Sequence, residues 1–311
     1  MKQTYDVVIA GAGPAGLSAG IYTGRALLKT LILDKGIPGG QILLTDIIEN
    51  YPGFSEAVPS FSLAEGFKSQ ALRFGCEINQ EEINKIVRTD DIWTVMTAEK
   101  EYSARGLIIA TGSSHRKLDV PGESQFTGRG VSYCATCDGA FFRDKVIAVV
   151  GGGSYALTEA LFLTRFAKKV IVIHRRDQFR AEKVLQARAK DHEKIEFKLD
   201  SVVKEINGEQ RVRSARILNI INNKESEIEI EGIFVSVGMI PNTDIVKGLV
   251  DLNDKGEIIV TKNMATSERG IFAAGDVTDA CSNQVATAVG AGVEAGLAVN
   301  KYIEENNLTY S

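Results

Sequence analysis

Twice in this chain an apolar strand segment runs directly into a glycine-spaced turn and then into a helix-compatible stretch. The first instance is YDVVIA, residues 5–10, followed by Gly11, Ala12, Gly13, Pro14, Ala15 and Gly16. The second is KVIAVV, residues 145–150, followed by Gly151, Gly152, Gly153, Ser154, Tyr155 and Ala156. Helical patterning follows each turn, from about Pro14 to Ala26 in the first and to about Phe166 in the second. A further apolar strand comes next, TLILD in one copy and KVIVI in the other. The residue 23 positions after the leading glycine closes that strand, Asp34 in the first copy and His174 in the second. Glycines at this spacing permit a tight turn, close approach of a pyrophosphate to the backbone, and close packing of helix on strand.

The likeness extends downstream. Residues 83–106 read as short alternating strands ending in LIIATG (107–112), and residues 195–231, with a turn at Asn207-Gly208, end in IFVSVG (233–238). Each half therefore reads as a βαβ start, a β-meander and a closing strand that ends on glycine. This predicts an α/β fold with two Rossmann-like, three-layer nucleotide-binding domains, each carrying a β-meander insertion. Near the C-terminus, GIFAAGDVTD (270–279) is an apolar strand that ends in Gly275-Asp276. A small-residue helix then runs from about Gln284 to Asn300, with Gly290, Gly292 and Gly296 available for close packing. An acid at such a strand end suits hydroxyls of a ribityl chain. Together with the first turn it makes the FAD domain discontinuous. Expected bounds are 1–116 and 246–311 for the FAD domain and 117–245 for the domain of the second turn.

The charge beside each turn separates the two nucleotides. Asp34 suits a ribose diol, as FAD requires. In the second copy Arg175 and Arg176 stand where an acid would mark NAD, and Arg180 joins them if the chain folds back. Guanidinium groups bind a 2′-phosphate bidentately, so NADPH is favoured over NADH.

VSYCATCDGAFF, residues 131–142, holds Cys134 and Cys137. A CxxC permits a small-ring disulfide with one acidified thiol, and Asp138 is placed to trade a proton with a thiolate. The other readings are a turn or helix-capping role for Asp138, half a zinc site, or an inert buried pair. Zinc fits badly, because a structural site wants about four Cys or His ligands. The chain offers besides these only Cys76, Cys281 and three scattered histidines. No metal is expected.

Composition narrows the setting. A net charge of −4 over 311 residues gives no electrostatic case for nucleic acid or an anionic membrane. No apolar run approaches the ~18 residues of a membrane span. The first residues imitate a signal peptide superficially, but the apolar core is short and the glycines serve the turn. Cytoplasmic residence is the expectation.

Taken together, GAGPAG (11–16), PGGQ (38–41), ENYPGF (49–54), ATG (110–112), CATCDG (134–139), HRRDQFR (174–180) and AAGDV (273–277) resemble the low-molecular-weight, bacterial-type thioredoxin reductases, FAD-dependent pyridine nucleotide-disulfide oxidoreductases, over essentially the whole chain. The resemblance implies a homodimer that passes electrons from NADPH through FAD to its own disulfide and on to thioredoxin. On it, Gly11, Gly13, Pro14, Ala15, Gly16, Asp34, Gly40, Gln41, Asn50, Thr111, Gly112, Gly275, Asp276 and Gln284 hold FAD. Gly151, Gly153, Ser154, His174, Arg175, Arg176 and Arg180 hold NADPH. Cys137 is the sulfur next to the flavin, Cys134 attacks thioredoxin, and Asp138 is the acid–base residue.

Phe141 and Phe142 resemble an aromatic docking loop, with ordinary core roles the competing reading. The resemblance also implies rotation of the NADPH domain between half-reactions, about linkers near 113–121 and 240–248. The chain departs from the family pattern at Ser154-Tyr155, at Thr158-Glu159 and at Ser282-Asn283-Gln284. Two other activities share the architecture: a reductase fed by another donor such as ferredoxin, and a small-molecule dithiol oxidase. A non-catalytic nucleotide- or zinc-binding protein is the reading from a different class.

Overall fold

In the computed structural model, which describes residues 3–44, 47–89 and 92–306, the chain divides into two compact units. Residues 1–114 and 240–311 form one and residues 115–239 the other. In the first unit β1 (Gln3–Ala10) leads through the first glycine turn into α1 (Pro14–Arg25) and β2 (Thr30–Asp34). Next come α2 (Ser60–Arg73), β3 (Glu77–Gln80), β4 (Lys85–Thr89), β5 (Ile92–Met96) and β6 (Glu101–Ile109). In the second unit β7 (Val131–Ser132) precedes α3 (Ala135–Asp138), and β8 (Val146–Val150) leads through the second turn into α4 (Ser154–Leu163). Then follow β9 (Lys169–Ile173), α5 (Lys183–Lys190), β10 (Ile195–Lys198), the meander β11 (Ser201–Gly208), β12 (Val212–Asn219) and β13 (Lys224–Glu229), and β14 (Gly232–Val235). The chain returns to the first unit with β15 (Ile271–Ala273) and α6 (Val285–Glu305).

The first sheet has the order β3-β2-β1-β6-β5-β4, with β15 on the C-terminal half of β6. β1 is parallel to both neighbours, Ile9 standing opposite Ile32 and Ile108. The residues 83–106 expected as separate short strands are organised differently from LIIATG onward. β6 is one continuous strand whose first half pairs antiparallel with β5 and whose second half pairs parallel with β15. Side chains alternate across β1 as the pleat requires. Val7 and Ile9 face a core built with α1 and α6, whereas Val8 and Ala10 face one that includes Trp93, Tyr102 and Ile258.

The second sheet, β7-β14-β8-β9-β10, is wholly parallel. Its central strands β14, β8 and β9 are apolar on both faces because both faces are covered. Ile147, Val149 and Phe234 pack on Leu157, Ala160 and Leu163 of α4. Ala148, Val150 and Ile233 pack on Val203, Ile206 and Ala215 of the antiparallel β11-β12-β13 sheet. Helices, parallel sheet and meander make three layers. The meander begins at Ser201 rather than 195, because Ile195–Lys198 pairs with β9 and extends the parallel sheet.

Two expectations of extent need correction. The returning chain joins the first unit at Ile240, not at 246. Asn242 accounts for the earlier return: its backbone N–H donates to Gly112 O (3.0 Å), its amide to Thr111 O (2.9 Å), and its carbonyl accepts from Thr111 Oγ1 (2.7 Å). Val246 is then fully buried in the first unit's core. α6 runs to Glu305 rather than Asn300, since Val299 and Ile303 continue the buried stripe of Ala288, Ala291 and Ala295.

α6 lies against α1 through two of the three glycines named above. A Cβ on Gly292 would stand 2.1 Å from Ala15 O, and one on Gly296 2.9 Å from Ala19 O, while one on Gly290 would meet nothing within 4 Å. Gly292→Ala should therefore lower stability by about 1–3 kcal/mol, as overpacking does. Gly290→Ala should be neutral or raise it by up to ~1 kcal/mol. Urea unfolding midpoints of the two variants read the difference directly.

Candidate functional site: two glycine turns and a redox segment

The first turn is shaped by a carbonyl from across the sheet. Gly11 has φ of +108°, its N–H donates to Leu33 O (2.7 Å), and a Cβ there would sit 2.2 Å from Ala110 O. Gly16 packs against the turn itself, a Cβ being only 1.9 Å from Gly11 O. α1 starts with extended Gly13 as its cap and Pro14 at its first position, and no side chain caps it. The first-turn N–H groups of a helix have no intrahelical acceptor, so those of Ala15 and Gly16 suit an anion. The PGGQ segment clasps the turn: Gly39 N–H donates to Ala12 O (2.8 Å), and a Cβ on Gly40 would be 3.0 Å from Gly13 Cα.

Asp34 ends β2 with both carboxylate oxygens engaged, Oδ2 by Ala12 N–H (2.6 Å) and Oδ1 by Gly36 N–H (2.8 Å). Each oxygen keeps a second lone pair for a ribose hydroxyl. Gln41 Nε2 donates to Ser113 O (2.7 Å), and Asn50 Nδ2 donates to Gln284 Oε1 (3.1 Å), which joins two named residues 234 positions apart. Gly275, at φ +83°, brings Asp276 to the same end of the sheet, and a Cβ on it would be 2.8 Å from Ala15 Cβ. Asp276 is largely buried, its Oδ1 has no partner, and desolvation pushes its carboxyl up to about 6. A buried carboxylate without a donor is costly, so this pocket suits a ligand hydroxyl there. The glycine turn, Asp34 with its free lone pairs and the unpartnered Asp276 Oδ1 offer anion donors and hydroxyl acceptors, a set that fits a flavin dinucleotide.

The second turn repeats the first. Gly151 N–H donates to Ile173 O (3.0 Å), and a Cβ would be 2.2 Å from Ser236 O. Gly153 is again an extended cap with no side-chain bond. The Ser154 hydroxyl accepts from Glu182 N–H (3.0 Å) and anchors the following loop. Arg180 does fold back, its N–H donating to Gly152 O (2.8 Å). Arg175, Arg176 and Arg180 are all exposed, and no ion pair engages them among the described residues. His174 serves the turn from beneath. It is 6% exposed, lies where a Cβ on Gly152 would come 2.2 Å from its ring, stacks on Phe179, and its Nε2 meets Gln178 O at 3.1 Å. Burial and then the nearby arginines hold its imidazole below the usual range. It packs beneath the turn and does not face solvent.

In the same unit, α3 carries the CxxC. Cys134 stands in a disulfide, and Cys76 and Cys281 are free thiols. The Cys137 side chain lies outside the described residues. Burial pushes the Cys76 thiol up to about 11, and its S–H donates to Gly20 O, so it is protonated and inert. Ser132 organises the redox segment: its hydroxyl donates to Asp138 Oδ2 (2.6 Å) and accepts from Cys134 N–H (3.1 Å). Phe141 and Phe142 part company. Phe141 is 73% exposed, whereas Phe142 is buried edge-on against Phe234, where Gly232 leaves room for its ring.

Three residues outside the sequence-derived set hold this machinery: Asn242, Ser132 and Glu159. The Glu159 carboxylate accepts Ala135 N–H (2.9 Å) and the Ser236 hydroxyl. Glu159 stood out in the sequence only as part of a departure from the family pattern, and the role of each of the three comes from a contact across the fold.

Two dinucleotide-type turns and a disulfide-bearing CxxC define a nucleotide-linked disulfide oxidoreductase. The chain belongs to the pyridine nucleotide-disulphide oxidoreductase family, whose model matches residues 5–295. Thioredoxin reductase of Bacillus subtilis (strain 168) is 44% identical over 305 residues, covering 98% of this chain and 96% of its own. The crystal structure of Lactococcus lactis thioredoxin reductase matches with a TM-score of 0.95 at 43% identity, over 97% of this chain and 99% of that one. That of T. acidophilum thioredoxin reductase matches at 0.93 and 33% identity, over 99% and 100%.

Asp276 has a measurable signature when no ligand is bound. A carboxyl raised to about 6 in the fold, against ~3.9 unfolded, contributes stability that is complete below the lower value and lost as pH rises through the upper one. Thermal unfolding of the ligand-free chain should show stability falling between about pH 4 and 6. Asp276→Asn should flatten that fall and gain about 1–2 kcal/mol at pH 8. Glu159, raised to about 6 by burial, retains the remaining slope.

Proposed function

We propose that the chain is an NADPH-dependent thioredoxin-disulfide reductase, an FAD enzyme that carries electrons to a Cys134–Cys137 disulfide and from it to thioredoxin. The observation that carries this reading is a disulfide-bonded Cys134 in the same unit as a glycine turn edged by three unpaired arginines. Full-length kinship with the Bacillus subtilis and Lactococcus lactis thioredoxin reductases supports the acceptor.

The first unit, discontinuous in sequence, is the FAD domain of this reading. Its α1 N-terminus takes the pyrophosphate, Asp34 the ribose diol, and Asp276 a ribityl or phosphate-linked hydroxyl. Gln41, Asn50 and Gln284 close the pocket, and Thr111 and Gly112 shape its floor. Bound flavin supplies a two-electron carrier between nicotinamide and disulfide.

The second unit is the NADPH domain. Its turn from Gly151 to Ser154 takes the pyrophosphate, and Arg175, Arg176 and Arg180 take the 2′-phosphate. Disulfide reduction breaks one S–S bond and consumes two electrons and two protons. On the family pattern Cys137 takes the electrons and Cys134 exchanges with thioredoxin. Asp138, held by Ser132, passes a proton to the leaving sulfur. The exposed Phe141 belongs to the thioredoxin-docking face, and Phe142 does not. A homodimer and cytoplasmic residence come with the kinship. The rival donors, ferredoxin among them, leave the three unpaired arginines without a task.

Anaerobic titration of the flavin-loaded protein tests the donor. NADPH should bleach the visible band at far lower concentration than NADH, and equal bleaching by both refutes the arginine assignment. Replacing Arg175 and Arg176 with Ala should reduce the NADPH-over-NADH preference by about 10–100-fold, as loss of charged hydrogen bonds predicts. Cys134→Ser should abolish thioredoxin reduction, read by insulin precipitation, and persistence of that activity refutes the assigned exchange.

A further inference from the structure

Glu159 is the one carboxylate in the second unit that is buried, on the helix of the nucleotide turn, and bonded to the redox segment. It is 5% exposed on α4. One of its oxygens accepts the N–H of Ala135, the peptide that links Ala135 to Cys134, at 2.9 Å. The other accepts the hydroxyl of Ser236, whose own carbonyl presses on Gly151. Tyr155 stands one turn earlier on the same helix, where burial and the nearby Glu159 carboxylate push its phenol up. Tyr155 is 38% exposed and lies beside the half-buried His115 ring, 5.6 Å between centroids. One carboxylate thus ties the CxxC helix and the closing strand to the nucleotide helix. Its donors are one N–H and one hydroxyl, neither of them a cation.

We propose that Glu159 is a positioning residue for the redox cysteines: it fixes the first turn of α3 by its bond to the Cys134–Ala135 peptide, and its negative charge restrains thiolate formation on that turn. This rests on reading Cys134 and Cys137 as the exchanging pair. A negative charge held near a thiol favours the protonated form, and low local dielectric strengthens the effect. In the reduced enzyme the two thiols hold the two electrons and two protons taken up when the S–S bond breaks. Restraining the thiolate keeps that dithiol protonated until Asp138 acts on it. Ser236 keeps the carboxylate in place while its own carbonyl packs on Gly151, so the turn that receives nucleotide also positions the sulfurs.

The test uses the flavin-loaded enzyme, reduced with dithiothreitol, desalted anaerobically, and alkylated with iodoacetamide across pH 5–9, with Cys134 and Cys137 read by mass spectrometry. Glu159→Gln keeps an oxygen for Ala135 N–H and an amide for Ser236 while removing the charge. Its alkylation midpoint should fall by about one pH unit, the scale of a neighbouring charge. Glu159→Ala also loses the anchor, and its kcat with thioredoxin should fall about tenfold, a loss of one hydrogen-bonded constraint. That loss should exceed its loss in NADPH-driven ferricyanide reduction, which bypasses the cysteines. The Gln variant should recover more of the thioredoxin turnover than Ala does. A Gln profile superimposed on wild type overturns the proposal, as does an Ala variant that reduces thioredoxin at the wild-type rate. If Ala does not fold, the Gln profile alone decides. If wild type reduces no thioredoxin, the functional reading fails, while the alkylation profiles still decide the role of Glu159.

Discussion

Both halves of this molecule depend on a carbonyl oxygen pressed against a glycine. Ala110 O at Gly11 and Ser236 O at Gly151 occupy the space a Cβ would need. The contact brings the end of the closing strand against the turn after the first strand, so the helix N-terminus opens at the carboxyl edge of the parallel strands in each sheet. Such edges are where open α/β sheets bind ligands. Any side chain at either glycine would push strand and turn apart and displace the helix N-terminus with them. The repetition of this contact, with matching N–H bonds to Leu33 O and Ile173 O, marks the two units as one design used twice.

Charge then distinguishes the copies. In the first, two carboxylates stand by the turn: Asp34 ties it while keeping lone pairs, and Asp276 holds a buried, unpartnered oxygen. In the second, three exposed guanidiniums ring the turn and a carboxylate is turned inward, where Glu159 braces the redox helix. Desolvation raises both buried acids to about 6, with opposite expected resolutions. Asp276 lacks a donor that a ligand would supply, whereas Glu159 already has two from the chain.

Local pattern was enough for the two βαβ starts, the α/β class, the meanders and the residues of both turns, because strand periodicity and glycine spacing are short-range properties. The CxxC was equally legible. Legibility failed where an assignment needed a partner distant in sequence. His174 sits at the ribose-reading position by count, yet its ring is enclosed by Phe179 and Gly152. Phe141 and Phe142 are adjacent and chemically alike, and only the space left by Gly232 decides which of them is buried.

The sequence by itself determined where the chain turns, which segments alternate, and that the architecture occurs twice. These follow from backbone sterics and side-chain period acting over a few residues. Only the tertiary structure decided that Asn242 draws the chain back onto the first unit six residues early, that β6 serves two partners along one strand, and that Glu159 reaches Ala135. Each of those depends on a hydrogen bond between groups at least 24 positions apart, or on one strand edge shared between partners from distant parts of the chain. Such pairings arise only once the layers have packed and a buried polar group must take whichever partner the fold brings within reach.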